Sequence, residues 1–200
     1  MTANGGPGHD VILNVQGDRV GLGPRRADLA PVYQRWINDF EVTRTLALSF
    51  TTMTLEAERA WLAGLDNVTN AVTFTIYELA TRRPIGNTDL RNIDHRHGTA
   101  EFGIMIGEKD CWNRGYGTET ARLMLDYGFS ALGLHNVMLQ AYAYNERGLG
   151  AYRRAGFREF GRRREARRLG HRAYDIVFMD CLSTEFTSTA LHRLMAGDGG

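Results

Sequence analysis

The stretch CWNRGYGTETARLMLDYGF, Cys111 to Phe129, decides how the rest of the chain is read. The run TAEFGIMI (99–106) leads into it and reads as a strand. Gly115 and Gly117 stand two apart. After them Ala121, Met124, Leu125, Gly128 and Leu132 fall on one stripe at helical spacing. A strand, a glycine turn and a helix make an anion site, because glycines admit close backbone N–H groups and the helix start is partly positive. A plain strand-to-helix turn has the same spelling. Two phosphate motifs are excluded. There is no G-x-x-x-x-G-K-[ST], and Thr120 fills the third glycine position of G-x-G-x-x-G.

Upstream, Arg19–Leu22 is a candidate strand broken by Pro24, and Asp28 is expected to cap a helix reaching about Ile37. Thr54 is expected to cap a second helix to Ala63, with Glu56 and Glu58 in its first turn. AVTFTIYEL (71–79) alternates and is rich in β-branched residues, so it predicts a strand. IGNTDLRNID (85–94) predicts the next strand, before the turn HRHG. Downstream, NVMLQAYAY (136–144) is a strand, and NERGLGAYRRAGF a helix capped by Asn145 and stopped by Gly156. RAYDIVFMDCL (172–182) is a last strand. Helices first, then three strands, then alternating elements predict an α/β (α+β) single domain with a mixed central sheet. Residues 1–16 are expected to be a flexible Gly-rich segment, 17–184 the domain, and 185–200 a C-terminal tail.

The 200 residues carry a net charge of +1, which argues against bulk attraction to nucleic acid or anionic lipid. Nine arginines between Arg153 and Arg172 form a local basic segment, with few interleaved aromatics, so nucleic acid is not the expected partner. Cys111 and Cys181 are the only cysteines, which suits a reducing cytosol and no zinc cluster. No secretory leader and no membrane span are expected, and the location expected is cytoplasmic. Lys109 is the only lysine.

WNRGYGTETARLMLDYGF followed by LHNVMLQAYAYNERGLGAYRRAGF resembles the Gcn5-related N-acetyltransferase (GNAT) superfamily, within it the branch of ribosomal-protein alanine and spermidine acetyltransferases. RWINDFEV, IGNTDL, AEFGIMI and RAYDIVFM add to the resemblance. It implies a sheet splayed between its fourth and fifth strands, helices on both faces, and acetyl-CoA in the split. It further implies that Trp112, Asn113, Arg114, Gly115, Tyr116, Gly117 and Thr118 seat the pyrophosphate, beside Met105 and Ile106 of the preceding strand. Trp112 departs from the Gln or Arg of the wider superfamily, so the seat relies on backbone N–H groups. Asn145 would contact the pantetheine arm, and Arg147 or Arg153 the 3′-phosphate. Relatives that pair through sheet edges imply a homodimer.

Seven residues apart, Asn145 and Tyr152 fall on one helical stripe, with Gly148 between them. Read alone, they are a cap and a core tyrosine. The resemblance points Tyr152 at the CoA sulfur, where a phenol can protonate a departing thiolate. Strand N–H groups near Met105 can polarise the acetyl carbonyl. A base must first deprotonate the acceptor ammonium. Glu101 is the candidate, sharing a strand face with Gly103 and Met105. Gly148 is expected to make room for ligand, and Gly150 has no explanation. Asp39, Glu41 and Phe50 are expected to wall the acceptor side, and His97 and Asp94 to approach it. No metal is expected. The expected activity is direct acetyl transfer to a primary amine, first a protein N-terminus, then a polyamine or an amine-bearing antibiotic or aminosugar. The rivals are a non-catalytic CoA-binding protein and an RNA-associated one.

Overall fold

The protein's structure, a computed structural model, describes residues 11–47, 50–188, 190 and 191, with Asp66 described by its backbone only. Eight strands form one sheet: β1 (Val15–Gln16), β2 (Val20–Pro24), β3 (Val72–Glu78), β4 (Pro84–Asp94), β5 (Thr99–Ile106), β6 (Asn136–Tyr142), β7 (Arg158–Leu169) and β8 (Arg172–Leu182). Their order is β1-β2-β3-β4-β5-β6-β8-β7. Neighbours are antiparallel except β5 and β6, which run parallel. That parallel ladder has only three rungs, from Thr99↔Asn136 to Glu101↔Met138. Beyond it the strands part, and the last five residues of β5 have no partner on β6. The split falls between the predicted fourth and fifth strands. The two-residue β1 moves it to β5 and β6 in the observed count.

Among the described residues five α-helices accompany the sheet: α1 (Ala30–Asn38), α2 (Phe40–Thr43), α3 (Leu55–Gly64), α4 (Tyr116–Asp126) and α5 (Glu146–Ala155). They divide between its faces, and the alternation of β5 records which is which. Ala100 and Phe102 belong to the large core shared with α4 and α5. Met105 belongs to a second core with Tyr33 and Trp36 of α1 and Leu62 of α3. Burying a side chain of this size contributes roughly 1.5–3 kcal/mol. Gly107 is required by that second core, since a Cβ there would lie 2.2 Å from the Trp36 ring.

The predicted caps at Thr54 and Asn145 form, Thr54 accepting from the Ala57 N–H (3.2 Å) and Asn145 from Gly148 (3.1 Å). The cap predicted at Asp28 does not. A 3₁₀ turn over Ala27–Leu29 precedes α1, Pro31 starts the helix, and Asp28 binds the Arg26 guanidinium at 2.9 and 2.7 Å instead. α4 begins at Tyr116, earlier than the apolar stripe indicates, and passes into a π-helical turn at Tyr127–Ala131. The unassigned arginine segment is edge strand β7, most of it exposed. Residues 1–10 of the segment expected to be flexible lie outside the described residues, while Val15–Gln16 pair with β2. Of the expected tail, 189 and 192–200 are likewise outside. Ser188, Ala190 and Leu191 all donate to the fully buried carboxylate of Asp126.

Candidate active site

Where β5 and β6 part, a cavity of about 220 Å³ opens. One wall is the end of β5 (Ile104–Ile106) with the loop that follows. The other is α5, through Asn145, Gly148, Ala151 and Tyr152; Val42, Thr45 and Leu46 close it from the α2 side. Met105, Ile106, Trp112, Asn113, Gly115, Tyr116, Gly117, Thr118, Asn145 and Tyr152 are therefore gathered here as the sequence predicts. Arg114 is not among the lining residues; its guanidinium lies 3.8 Å from Glu78.

The loop is built by left-handed backbone at two alternate residues, Asn113 (φ 61) and Gly115 (φ 82). Gly115 is the N-cap of α4, whose first backbone bond runs from the Glu119 N–H to the Gly115 carbonyl (3.1 Å). The N–H groups of Tyr116, Gly117 and Thr118 precede that bond and keep the unpaired character of a helix start. All three residues line the cavity. Nothing lies within 4 Å of where a Gly117 Cβ would stand, so protein packing does not demand glycine there. The space is free for an anion approaching the α4 terminus.

Long-range bonds brace this turn. Arg19 donates to the Arg114 carbonyl (2.8 Å) and to Glu119 Oε2 (3.1 Å), while Glu119 Oε1 accepts from the Arg19 and Val20 N–H groups. Tyr116 donates to Glu78 (2.7 Å), and that bond with one from Thr81 holds the Glu78 carboxyl below the usual range. Trp112 donates from its indole to the Ile106 carbonyl (2.9 Å), and the Arg147 guanidinium stacks 3.7 Å from its ring. Trp112 thus links the loop to β5 and α5. Sequence spacing did not reveal this brace, because Arg19 and Glu78 lie far along the chain from the loop and from Glu119 beside it.

The ring of Tyr152 is packed edge-on by Phe102 and Phe157. Burial pushes its phenol up to about 12, with Arg147 opposing the shift. It keeps its proton throughout the working range, so it can donate a hydrogen bond but cannot serve as a base. No described residue hydrogen-bonds its hydroxyl. Gly148 lines the cavity and also makes room for the Asn145 cap, because a Cβ would meet Asn145 Nδ2 at 2.4 Å. A Cβ at Gly150 would make only ordinary contact with Arg154, at 3.4 Å, so packing does not explain that glycine; Arg154 lines the cavity where Arg153 does not.

Residues 19–158 match the family model described as acetyltransferase (GNAT) domain. The chain belongs to the GNAT family. It is an N-acetyltransferase by descent, and acetyltransferases of this family use acetyl-CoA. It is 24% identical over 172 residues to a Bacillus licheniformis protein named uncharacterized N-acetyltransferase p20, covering 84% of this chain and 96% of that one. Against spermidine N(1)-acetyltransferase of Vibrio cholerae it is 29% identical over 117 residues, 58% of this chain and 67% of that one. The crystal structure of spermidine N-acetyltransferase from Vibrio cholerae in complex with CoA and spermine superposes with a TM-score of 0.76 at 20% identity, covering 84% and 98% of the chains.

The residues expected on the acceptor side are less gathered. Glu101 lies on the predicted face of β5 but does not line the cavity. It binds Arg91 (2.5 Å), with the Asn92 and Gln140 amides at 3.3 Å. Asp39 and Glu41 both bind Lys109, at 2.8 and 3.0 Å, which holds the Asp39 carboxyl low. Phe50 packs edge-on against Phe40, both rings exposed. Asp94 accepts from the Arg96 and His97 N–H groups and so shapes its own turn. Cys111 is buried beside Arg83, and burial raises its thiol. Among the described residues no group of His, Cys, Asp and Glu is arranged to hold a metal, and no helix is long and apolar enough to cross a membrane.

Proposed function

We propose that this acetyltransferase moves an acetyl group from acetyl-CoA directly to a primary amine in a ternary complex. One observation carries the reading: the free space at Gly117, at the start of α4, opens into the same cavity as Tyr152. Backbone N–H groups of the loop 112–118 would hold the pyrophosphate, with Asn145 beside the pantetheine arm. Acetyl-CoA would supply an acetyl thioester. The β5 N–H groups near Met105 would polarise its carbonyl, and Tyr152 would donate to the leaving sulfur. No covalent enzyme intermediate is required, which agrees with a buried, raised Cys111 thiol.

An ammonium group suits the acceptor side. Lys109 pairs with both Asp39 and Glu41, a formal excess of one negative charge. Under α3, three carboxylates (Glu58, Asp89, Glu101) interact with two guanidiniums (Arg25, Arg91), a formal excess of one negative charge. A protein N-terminus presents one such cation and is the first reading. A polyamine is the second, favoured by the spermidine acetyltransferase among the relatives. Calorimetry with CoA and an acceptor screen read by thiol release and mass spectrometry test both. Peptides with free N-termini, spermidine and aminoglycosides make up the screen. Absence of CoA binding overturns the reading, and acetylated spermidine with untouched peptides reverses the order of acceptors.

A further inference from the structure

Asp89 of β4 stands directly across from Gly103 of β5. A Cβ at Gly103 would lie 2.7 and 2.9 Å from the two Asp89 carboxylate oxygens, and 2.8 Å from Arg91 Nη1. The missing side chain is what lets the Asp89 carboxylate rest over the β5 backbone. Gly103 shares its face of β5 with Met105, which lines the cavity. Asp89 therefore lies one same-face step from the cavity wall, about 7 Å along the strand, whereas Glu101 lies two steps away.

The two carboxylates differ in how they are satisfied. Glu101 accepts a short bond from Arg91 and two amide contacts. Asp89 accepts one long bond, from Arg91 Nη1 at 3.3 Å, and keeps its side chain 27% exposed. The other charges around it come from Arg25 after β2 and Glu101 on β5, with Glu58 of α3 acting on Arg25. One rung nearer the cavity, Asn87 stands opposite Met105, and its amide oxygen is buried without a partner among the described residues. Two underused acceptors thus sit on β4 beside Gly103 and Met105 of β5; like Glu101 they do not line the cavity, but both stand nearer its wall along the strands.

We propose that Asp89, rather than Glu101, takes the proton from the acceptor ammonium, an inference that rests on the direct transfer proposed above. One N–H bond of the ammonium breaks and an O–H bond forms on Asp89. The electron pair stays on nitrogen, which then attacks the acetyl carbon, and Asp89 returns the proton to water. A lysine-like amine of pKa about 10.4 holds its proton at neutral pH, and an α-amino group of pKa about 8 is still mostly protonated there, so the step is needed. Desolvation raises the Asp89 carboxyl, against the pull of Arg91 and Arg25, and brings it nearer to a useful base.

The test compares Asp89→Asn, Asp89→Glu and Glu101→Gln by thiol release from acetyl-CoA with spermidine and with a peptide bearing a free N-terminal alanine. Asp89→Asn should lower kcat by roughly 10²-fold at pH 7 and leave CoA affinity unchanged. The acid limb set by the Asp89 carboxyl should give way to a rate that climbs with the free-amine fraction, so the deficit should shrink toward pH 10. Asp89→Glu should recover part of the rate, which also answers any folding defect in the Asn variant. Glu101→Gln should cost less than about threefold. The wild-type acid limb retained unshifted in Asp89→Asn, or a larger loss in Glu101→Gln, overturns the assignment. CoA binding without thiol release on either probe overturns direct transfer together with it. Failure to bind CoA overturns the donor reading.

Discussion

The two sides of the cleft are built differently. The donor side is backbone: a left-handed turn, a helix start, and a cap. The proposed acceptor side is charge, with Asp39 and Glu41 answered by Lys109, and Asp89 and Glu101 sharing Arg91. Backbone donors need little reorganisation and accept any ligand of the right shape and charge. Side-chain ion pairs can be exchanged one residue at a time without disturbing the sheet. One wall is therefore suited to a constant ligand and the other to a variable one.

The sharpest way to break this contrast is at Gly117. Gly117→Leu fills space that no protein atom uses, so the thermal midpoint should hold while CoA affinity falls by more than about 100-fold. Calorimetry decides it, and retained affinity would dissolve the donor wall as described. Tyr152→Phe comes next. Turnover should fall roughly 10²-fold with CoA binding unchanged. Because burial raises this phenol to about 12, the neutral form persists well above the ordinary tyrosine value. Wild-type kcat should therefore show no basic limb from this group below about pH 11, whereas a tyrosine titrating near 10 would produce one.

A smaller effect is expected at the brace. Glu119→Ala removes the acceptor of Arg19 and of two backbone N–H groups, and should destabilise the chain by about 1–3 kcal/mol in urea titrations. CoA affinity should weaken only several-fold, since the left-handed turn survives. The smallest change tests the other wall. Lys109→Met frees Asp39 and Glu41, and should lower the KM for spermidine about two- to fivefold in low salt, with kcat unaltered. An unchanged KM would remove that pair from acceptor recognition.

The same contrast explains how much could be read beforehand. The residues predicted for the donor side occupy two short stretches, and local rules govern them: glycine at positive φ, asparagine at a cap, apolar residues at helical spacing. Acceptor residues are joined across long separations. Lys109 and Glu41 are 68 positions apart, and no spacing in the sequence announces their pairing. Gly103 reads as an interior strand glycine, and only the β4–β5 register reveals the carboxylate above it. Asp28 resembled a cap because the local pattern could not include its capture by Arg26. β7 escaped because an edge strand exposed along most of its length carries no apolar alternation.

That edge strand limits how copies of the chain can meet. The sheet ends on one side in the two residues of β1 and on the other in β7, which carries Arg158, Arg162, Arg163, Arg164, Arg167 and Arg168. Glu159 answers Arg162, and Glu185 answers Arg158. Two β7 strands laid side by side would still bring rows of guanidiniums within a few ångströms of each other, a repulsion that low salt would deepen. An open sheet edge of this charge is poorly suited to templating itself.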